Sequence, residues 1–334
     1  MLIASHHAEW FHEYEAHLGA MNTFSATIAS LERQHPGRIP SLRGQPTLLI
    51  GSDYSGFHQG AAFEVTSLVI TNFESLGPWD EHRMHIRKRY LPERRRMSYK
   101  ALNDGHRRAA LLHFLEVANQ IPGLLLTIAI DRTVPTLFNS ENADTSERAR
   151  SHPLFEGWKP APIERAMRTI HFASLLLRGL SCAGQDLWWF TDQDEIVANE
   201  QRLRSFVSLM ANVSSHYLPH TLRHMRIGTT ASDTGRRDIE DFVAIPDFAA
   251  GALQEVLNTR YARRLLDARS IFVPTSQELG PKARRIMDWF ADNTQPLRRL
   301  TFIVDEPAEG KPRITSLRFH GSRDADATAL VSLG

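Results

Sequence analysis

Short apolar runs alternate with amphipathic stretches along this chain. Residues 47–53 (TLLIGSD) are a compact apolar run and read as a buried strand. Residues 61–71 form a second extended run after a turn holding Gly56 and Gly60, so the two runs read as a hairpin. Residues 96–102 are read as a third strand. Residues 104–120 are read as an amphipathic helix with Ala110, Leu111, Phe114, Leu115 and Ala118 on one face. Residues 123–131 (GLLLTIAID) and 186–191 (DLWWFT) repeat the pattern of an apolar strand running into acids. Between them lie a polar stretch, 139–153, and a buried helix, 160–180, with proline near its start. A helix from about residue 199 to 214, a short strand at 223–229 and a helix at 239–257 follow, the last restarting or kinking at Pro246.

The ends of the chain carry their own elements. Residues 1–31 show a helical pattern through Trp10, Tyr14, His17, Leu18 and Met21, which Pro and Gly then break. Beyond residue 270 the pattern predicts a helix at 281–292 and a hairpin with arms 300–305 and 313–319. A hairpin followed by alternating helices and strands is an α/β layout with mainly crossover connections. Three segments result: a helical extension over 1–45, an α/β domain over 46–268, and a helix and β-hairpin extension over 269–334.

Composition adds little that is unusual. The chain has 334 residues, 42% hydrophobic and 23% charged, as expected of a globular protein. No apolar run approaches the roughly 18 residues that span a bilayer, and the first residues lack the basic-then-apolar order of an export signal. Cys182 is the single cysteine, so an internal disulfide is excluded. The expectation is a cytoplasmic protein with no membrane partner.

Net charge is +1, yet residues 82–96 (HRMHIRKRYLPERRR) concentrate seven basic side chains against Glu93 alone. Such a run is most often a solvated face or loop. Its functional reading is a phosphate-tracking surface, carried by Arg87, Lys88, Arg89, Arg94 and Arg95. Lys100 lies just beyond the run and would join it.

The acids at strand ends are the main chemical signal. Asp53, Asp131 and the cluster Asp192, Asp194 and Glu195 each close an apolar run. Asp247 stands in AIPDFAAGAL, where Ala249, Ala250, Gly251 and Ala252 would let a helix lie close against a sheet. Asp53 could simply start a turn, and Asp247 could simply complement a helix dipole in the first turn after Pro246. Several acids converging on one sheet edge would instead need cations. Oxygen-only ligation is what Mg2+ and Mn2+ prefer. His216, His220 and His224 recur every four residues, but Pro219 interrupts them and they read as surface or core histidines. At least one of Trp188 and Trp189 faces the core.

Three segments, SDYSG at 52–56, FTDQDE at 190–195 and IPDFAAGA at 245–252, carry a resemblance. In order and context they resemble the family called domain of unknown function 3800, within the ribonuclease H-like superfamily. The resemblance runs from about residue 47 to 257. Tyr54 stands where that family often has Glu, and Lys100 lies where related proteins place an acid, with Asp104 or Asp131 as candidate substitutes. The resemblance implies a ribonuclease H-like mixed sheet flanked by helices and a divalent-metal site. The expected function is a metal-dependent phosphodiesterase or nuclease. Asp53, Asp192 and Asp247 would ligate Mg2+ or Mn2+, with Asp194 as alternate ligand or orienter. The alternative is a non-catalytic module of the same fold that binds nucleic acid or a protein partner. An actin-like ATPase would need a second copy of the domain and Gly-rich phosphate loops, which the chain lacks.

Overall fold

A computed structural model describes residue 10 and residues 15–138, 152–266, 269–306 and 312–321. The polar stretch expected over 139–153 and the loop joining the last hairpin lie almost wholly outside the described residues, as does most of the helical pattern ahead of residue 15. Nine strands are described: β1 (Thr47–Ser55), β2 (Phe63–Asn72), β3 (Gly123–Asp131), β4 (Asp186–Thr191), β5 (Met225–Thr229), β6 (Ser270–Phe272), β7 (Leu297–Asp305), β8 (Arg313–Ser316) and β9 (Arg318–His320). The α-helices are α1 (Ala20–Gln34), α2 (Gly77–Tyr90), α3 (Gly105–Ala118), α4 (Pro160–Leu180), α5 (Glu200–Tyr217), α6 (Asp238–Ala262) and α7 (Pro281–Ala291).

Seven strands form one mixed sheet in the order β5-β4-β1-β2-β3-β7-β8, and β6 pairs with β9 separately. The chain is thus α/β, as its pattern predicts. β2 and β3 pair antiparallel from Phe63↔Asp131 to Thr71↔Gly123. β3 and β7 run parallel, with Leu126 opposite Leu300 and Ile130 opposite Val304. β3 is buried along nearly its whole length, which is why its sequence reads as an unbroken apolar run rather than an alternation.

The chain clusters into two compact units. The first comprises Met1–Leu48, Pro135–Trp188 and Gln193–Gly228, the second Leu49–Val134, Trp189–Asp192 and Thr229–Gly334. In the first, α4 packs against both α1 and α5. Phe24 meets Phe172 edge-on at 5.1 Å. Gly179 lies so close to Trp10 that an added Cβ would stand 2.3 Å from the indole. In the second, α6 covers β2 and β3 and touches α7, while α2 packs on α3. Phe114 of α3 meets Phe248 of α6 at 5.6 Å.

Four local expectations are corrected. Residues 96–102 form no strand, and Tyr99–Asn103 is a 3-10 helix. The segment at 82–90 is neither loop nor wholly solvated but belongs to α2, whose Arg83 and Arg87 are buried. The helix around Pro246 starts at Asp238 and passes through the proline without restarting. The last hairpin is β7 with β8 only, since Phe319 lies in β9, opposite Ile271 of β6.

Candidate functional site

The second unit brings the three predicted aspartates into one neighbourhood. Asp53 sits in β1 after a run of buried residues and is itself buried. Its strand neighbour Ser52 accepts a hydrogen bond from Trp189 Nε1 at 2.8 Å, and Thr191 Oγ1 donates to Ser52 O at 3.3 Å. These two bonds hold the end of β4 beside β1, so the next residue, Asp192, emerges near Asp53. Trp189 is fully buried, as one member of its pair was expected to be.

Asp247 comes from the middle of α6. That position removes the helix-dipole explanation, because the acids of the first turn are Asp238, Glu240 and Asp241. Its Oδ2 accepts from the backbone N–H of Tyr99 at 2.6 Å. Its carboxyl also shares a hydrogen bond with Asp53 and lies within the field of Asp192. Burial, offset in part by the Tyr99 N–H and Arg96, pushes Asp247 up to about 6. Two carboxyls in direct contact cannot both ionise without cost, so this pair keeps a proton to higher pH than an ordinary carboxyl and favours a cation once that proton is lost.

Asp192 is arranged differently. Arg96 Nη2 reaches its Oδ1 at 2.7 Å, and Thr230 Oγ1 donates to the same oxygen at 2.7 Å. Both members of the ion pair are partly exposed, Arg96 at 36% and Asp192 at 31% of their side chains. The Arg96 guanidinium also feels Glu240 and Asp247, so one cation already stands among the acids. Its buried Nε–H meets no acceptor among the described residues. No three acids of this cluster bring one oxygen each within 4.8 Å of one another among the described residues. Asp53 and Asp247 are hydrogen-bonded to each other, while Asp192 is ion-paired with Arg96.

The donor set at that pair suits a hard divalent ion. Mg2+ is commonly bound through one or two carboxylates, with waters and substrate phosphates completing its shell. Asp53 and Asp247 supply two oxygen-bearing side chains, Asp247 being held by the Tyr99 N–H. Tyr99 is fixed in turn. Its OH donates to Glu255 at 2.6 Å, Lys282 Nζ lies 4.0 Å above its ring, and Gly251 leaves room for it. The small residue at 251 thus admits Tyr99, where close packing on the sheet was expected.

Several of the remaining predicted residues have local partners. Asp194 accepts from Ile196 N–H at 2.9 Å, as a turn residue does. Asp104 caps α3 through Arg107 N–H and pairs with Arg95, and Asp131 binds Thr133 N–H and Oγ1. Both candidate substitutes are thus engaged locally. Arg87 is no phosphate contact, because it is buried and ion-paired with Asp241, which also receives Arg83 at 2.9 Å. Arg95 is tied to Glu93 at 2.5 Å and Asp104 at 2.7 Å. Lys88, Arg89, Arg94 and Lys100 are exposed and make up the basic surface that remains.

Arg96, Tyr99 and Thr230 are site residues that pattern reasoning passed over. Arg96 was visible only as the end of the basic run, and Thr230 carries no signal that distinguishes it from other threonines. No helix among the described residues is long and apolar enough to cross a membrane. No family model and no curated protein matches this chain.

Proposed function

We propose that the chain is a divalent-metal-dependent phosphodiesterase acting on nucleic acid, with Mg2+ or Mn2+ held by Asp53 and Asp247. The observation that carries this reading is the Asp53–Asp247 pair, whose shared hydrogen bond and raised Asp247 mark a place where a cation would replace a proton. A metal bound there would polarise a phosphoryl oxygen and acidify a water. Arg96 offers the second element, a guanidinium on a side chain 36% exposed that could meet a phosphate oxygen. Asp192, which itself accepts from Thr230 Oγ1, holds that guanidinium in place. Lys88, Arg89, Arg94 and Lys100 supply exposed positive charge that can follow a phosphate backbone. A sheet whose order places β1, β2 and β3 together, with β4 and β5 beyond β1, fits the ribonuclease H-like reading.

The direct test is nicking of labelled single-stranded RNA, DNA and hybrid duplex with and without Mg2+ or Mn2+. Cleavage should require the metal and fall by about two orders of magnitude or more in Asp53→Asn and Asp247→Asn. Cleavage by metal-free protein, or full activity in both variants, would remove the reading.

The Arg96–Asp192 ion pair favours a second reading, a non-catalytic module of the same fold in which the guanidinium takes the place of a metal. Salt-sensitive binding of nucleic acid without metal, retained in Asp53→Asn and Asp192→Asn, would select it.

A further inference from the structure

Away from the acid pair, and wholly within the first unit, two imidazoles and a carboxylate meet. Glu15 precedes a 3-10 turn at Ala16–Leu18, and His216 occupies the last turn of α5. Glu15 Oε1 lies 2.9 Å from His216 Nε2, and Glu15 Oε2 lies 3.5 Å from His17 Nε2. One donor atom from each of the three lies within 4.8 Å of the others, and no other group of three such donors does so among the described residues. The imidazole rings are tilted by 51° with centroids 6.0 Å apart.

Each part of this arrangement is positioned by packing rather than by the contact itself. Asn22 of α1 accepts from Glu15 N–H at 3.2 Å and donates to Glu15 O at 2.8 Å, which fixes the backbone that carries the carboxylate. Tyr217, next to His216, is buried with its OH 2.9 Å from His171 Nδ1, and Arg178 donates to its carbonyl at 2.5 Å. The end of α5 is therefore anchored where His216 leaves it. His171, just behind, is kept neutral by burial down to about 3, so it adds no positive charge opposing a cation in front.

We propose that Glu15, His17 and His216 form a zinc-type transition-metal site that ties the turn ahead of α1 to the last turn of α5. Two imidazoles and one carboxylate are a zinc donor set, and nitrogen donors select against Mg2+. Zinc bonds of about 2.0–2.1 Å in a tetrahedron place donors about 3.3 Å apart, between the two spacings in this group. Three protein ligands leave a fourth position, and His17 and His216, exposed at 64% and 45% of their side chains, leave it open to solvent. A sequence search for zinc motifs passes over the site, because its donors come from two distant segments. The helical repeat of His216, His220 and His224 leads elsewhere: α5 ends at Tyr217, and His220 instead meets Ser181 at 2.8 Å.

The test is titration of the full chain with Zn2+ against a competing chelator, paired with Co2+ absorption to report coordination. One Zn2+ should bind per chain, with affinity at least about tenfold weaker in His17→Ala and in His216→Ala. His113→Ala is the control, since His113 faces only Glu116, at 3.2 Å, among the described donors. Because the chain has 16 histidines, adventitious zinc is the competing outcome. Binding that is equal in wild type and His17→Ala would overturn the proposal, as would no binding at micromolar zinc. His17 is exposed, so that variant decides the matter even where His216→Ala unfolds. Zinc binding lost in Asp53→Asn but kept in His17→Ala would assign the metal to the acid pair and also overturn it. Failure of the nuclease reading leaves this result untouched.

Discussion

Asp247, in the middle of a helix, shares a hydrogen bond with Asp53 of the first sheet strand, whose carboxyl is buried. Asp247 stands near 6 in the folded chain against its ordinary value of 3.8. An acid raised on folding binds its proton more tightly in the folded state. The folded chain therefore loses stability as pH rises from about 4 to about 6, by a total on the order of 3 kcal/mol. Asp247→Asn removes this loss while keeping an acceptor for the Tyr99 N–H. The variant should match wild type near pH 4 and exceed it near pH 8, and Mn2+ should narrow the gap at pH 8 by stabilising wild type alone. Urea midpoints across that range check this; parallel profiles for the two proteins would exclude it.

Asp241 is the anion on which α2 and α6 meet. It is fully buried and accepts from Arg83 and Arg87, which are buried with it, while Asp80 gives Arg83 a second, partly exposed partner. Removing one partner of such a network leaves uncompensated buried charge and costs about 3–5 kcal/mol. Asp241→Asn should lose stability on that scale, and Asp80→Asn much less, because Asp80 is 36% exposed. A denaturation midpoint for Asp241→Asn within error of wild type would show that the network contributes nothing.

The same residues explain where sequence patterns were sufficient. β3, β4 and α4 occupy the spans their apolar runs predict, since burial along a whole strand or helix leaves a local signature. Residues 96–102 failed because Tyr99 N–H is satisfied by Asp247, a distant side chain, rather than by a neighbouring strand. Arg83 and Arg87 stand four apart on one helix face, and nothing local reveals that Asp241 draws that face inward. Pro246 looked like a boundary because its missing N–H breaks one helical bond. Burial of Phe242, Val243, Ile245 and Phe248 around it keeps α6 continuous. The pairing of Asp53 with Asp247 was legible as two acids on converging elements; the guanidinium of Arg96 beside Asp192 was not.

The corrected basic surface makes its own prediction. Lys88, Arg89, Arg94 and Lys100 remain exposed, whereas Arg95 is held by Glu93 and Asp104. Each phosphate contact removed should lower the slope of log affinity against log salt by about 0.7–0.9. Lys88→Gln with Arg89→Gln should therefore weaken binding of single-stranded nucleic acid and flatten its salt dependence, while Arg95→Gln should change it little. Fluorescence anisotropy at several salt concentrations measures both. Equal effects of Arg95→Gln and the double variant would place the contacts elsewhere.

His171 makes acid the weak side of the first unit. Burial, helped by the nearby His17 and His216, lowers it from its ordinary 6.5 to about 3. The unfolded chain takes up this proton near pH 6.5 and the folded chain does not, so stability is complete above that pH and declines as pH falls towards 3, by about 1.4 kcal/mol per unit. His171→Asn keeps a polar atom near the position of Nδ1, within reach of the Tyr217 OH that His171 now meets at 2.9 Å. It loses the ring contact with Phe138, whose centroid is 4.7 Å away, and should be less stable than wild type at pH 7.5. Its decline between pH 6.5 and 4.5 should be shallower, so the two stability curves approach each other in acid. Urea midpoints at half-unit pH steps resolve the slopes, and an unchanged acid slope in the variant would mean that another group takes up the proton.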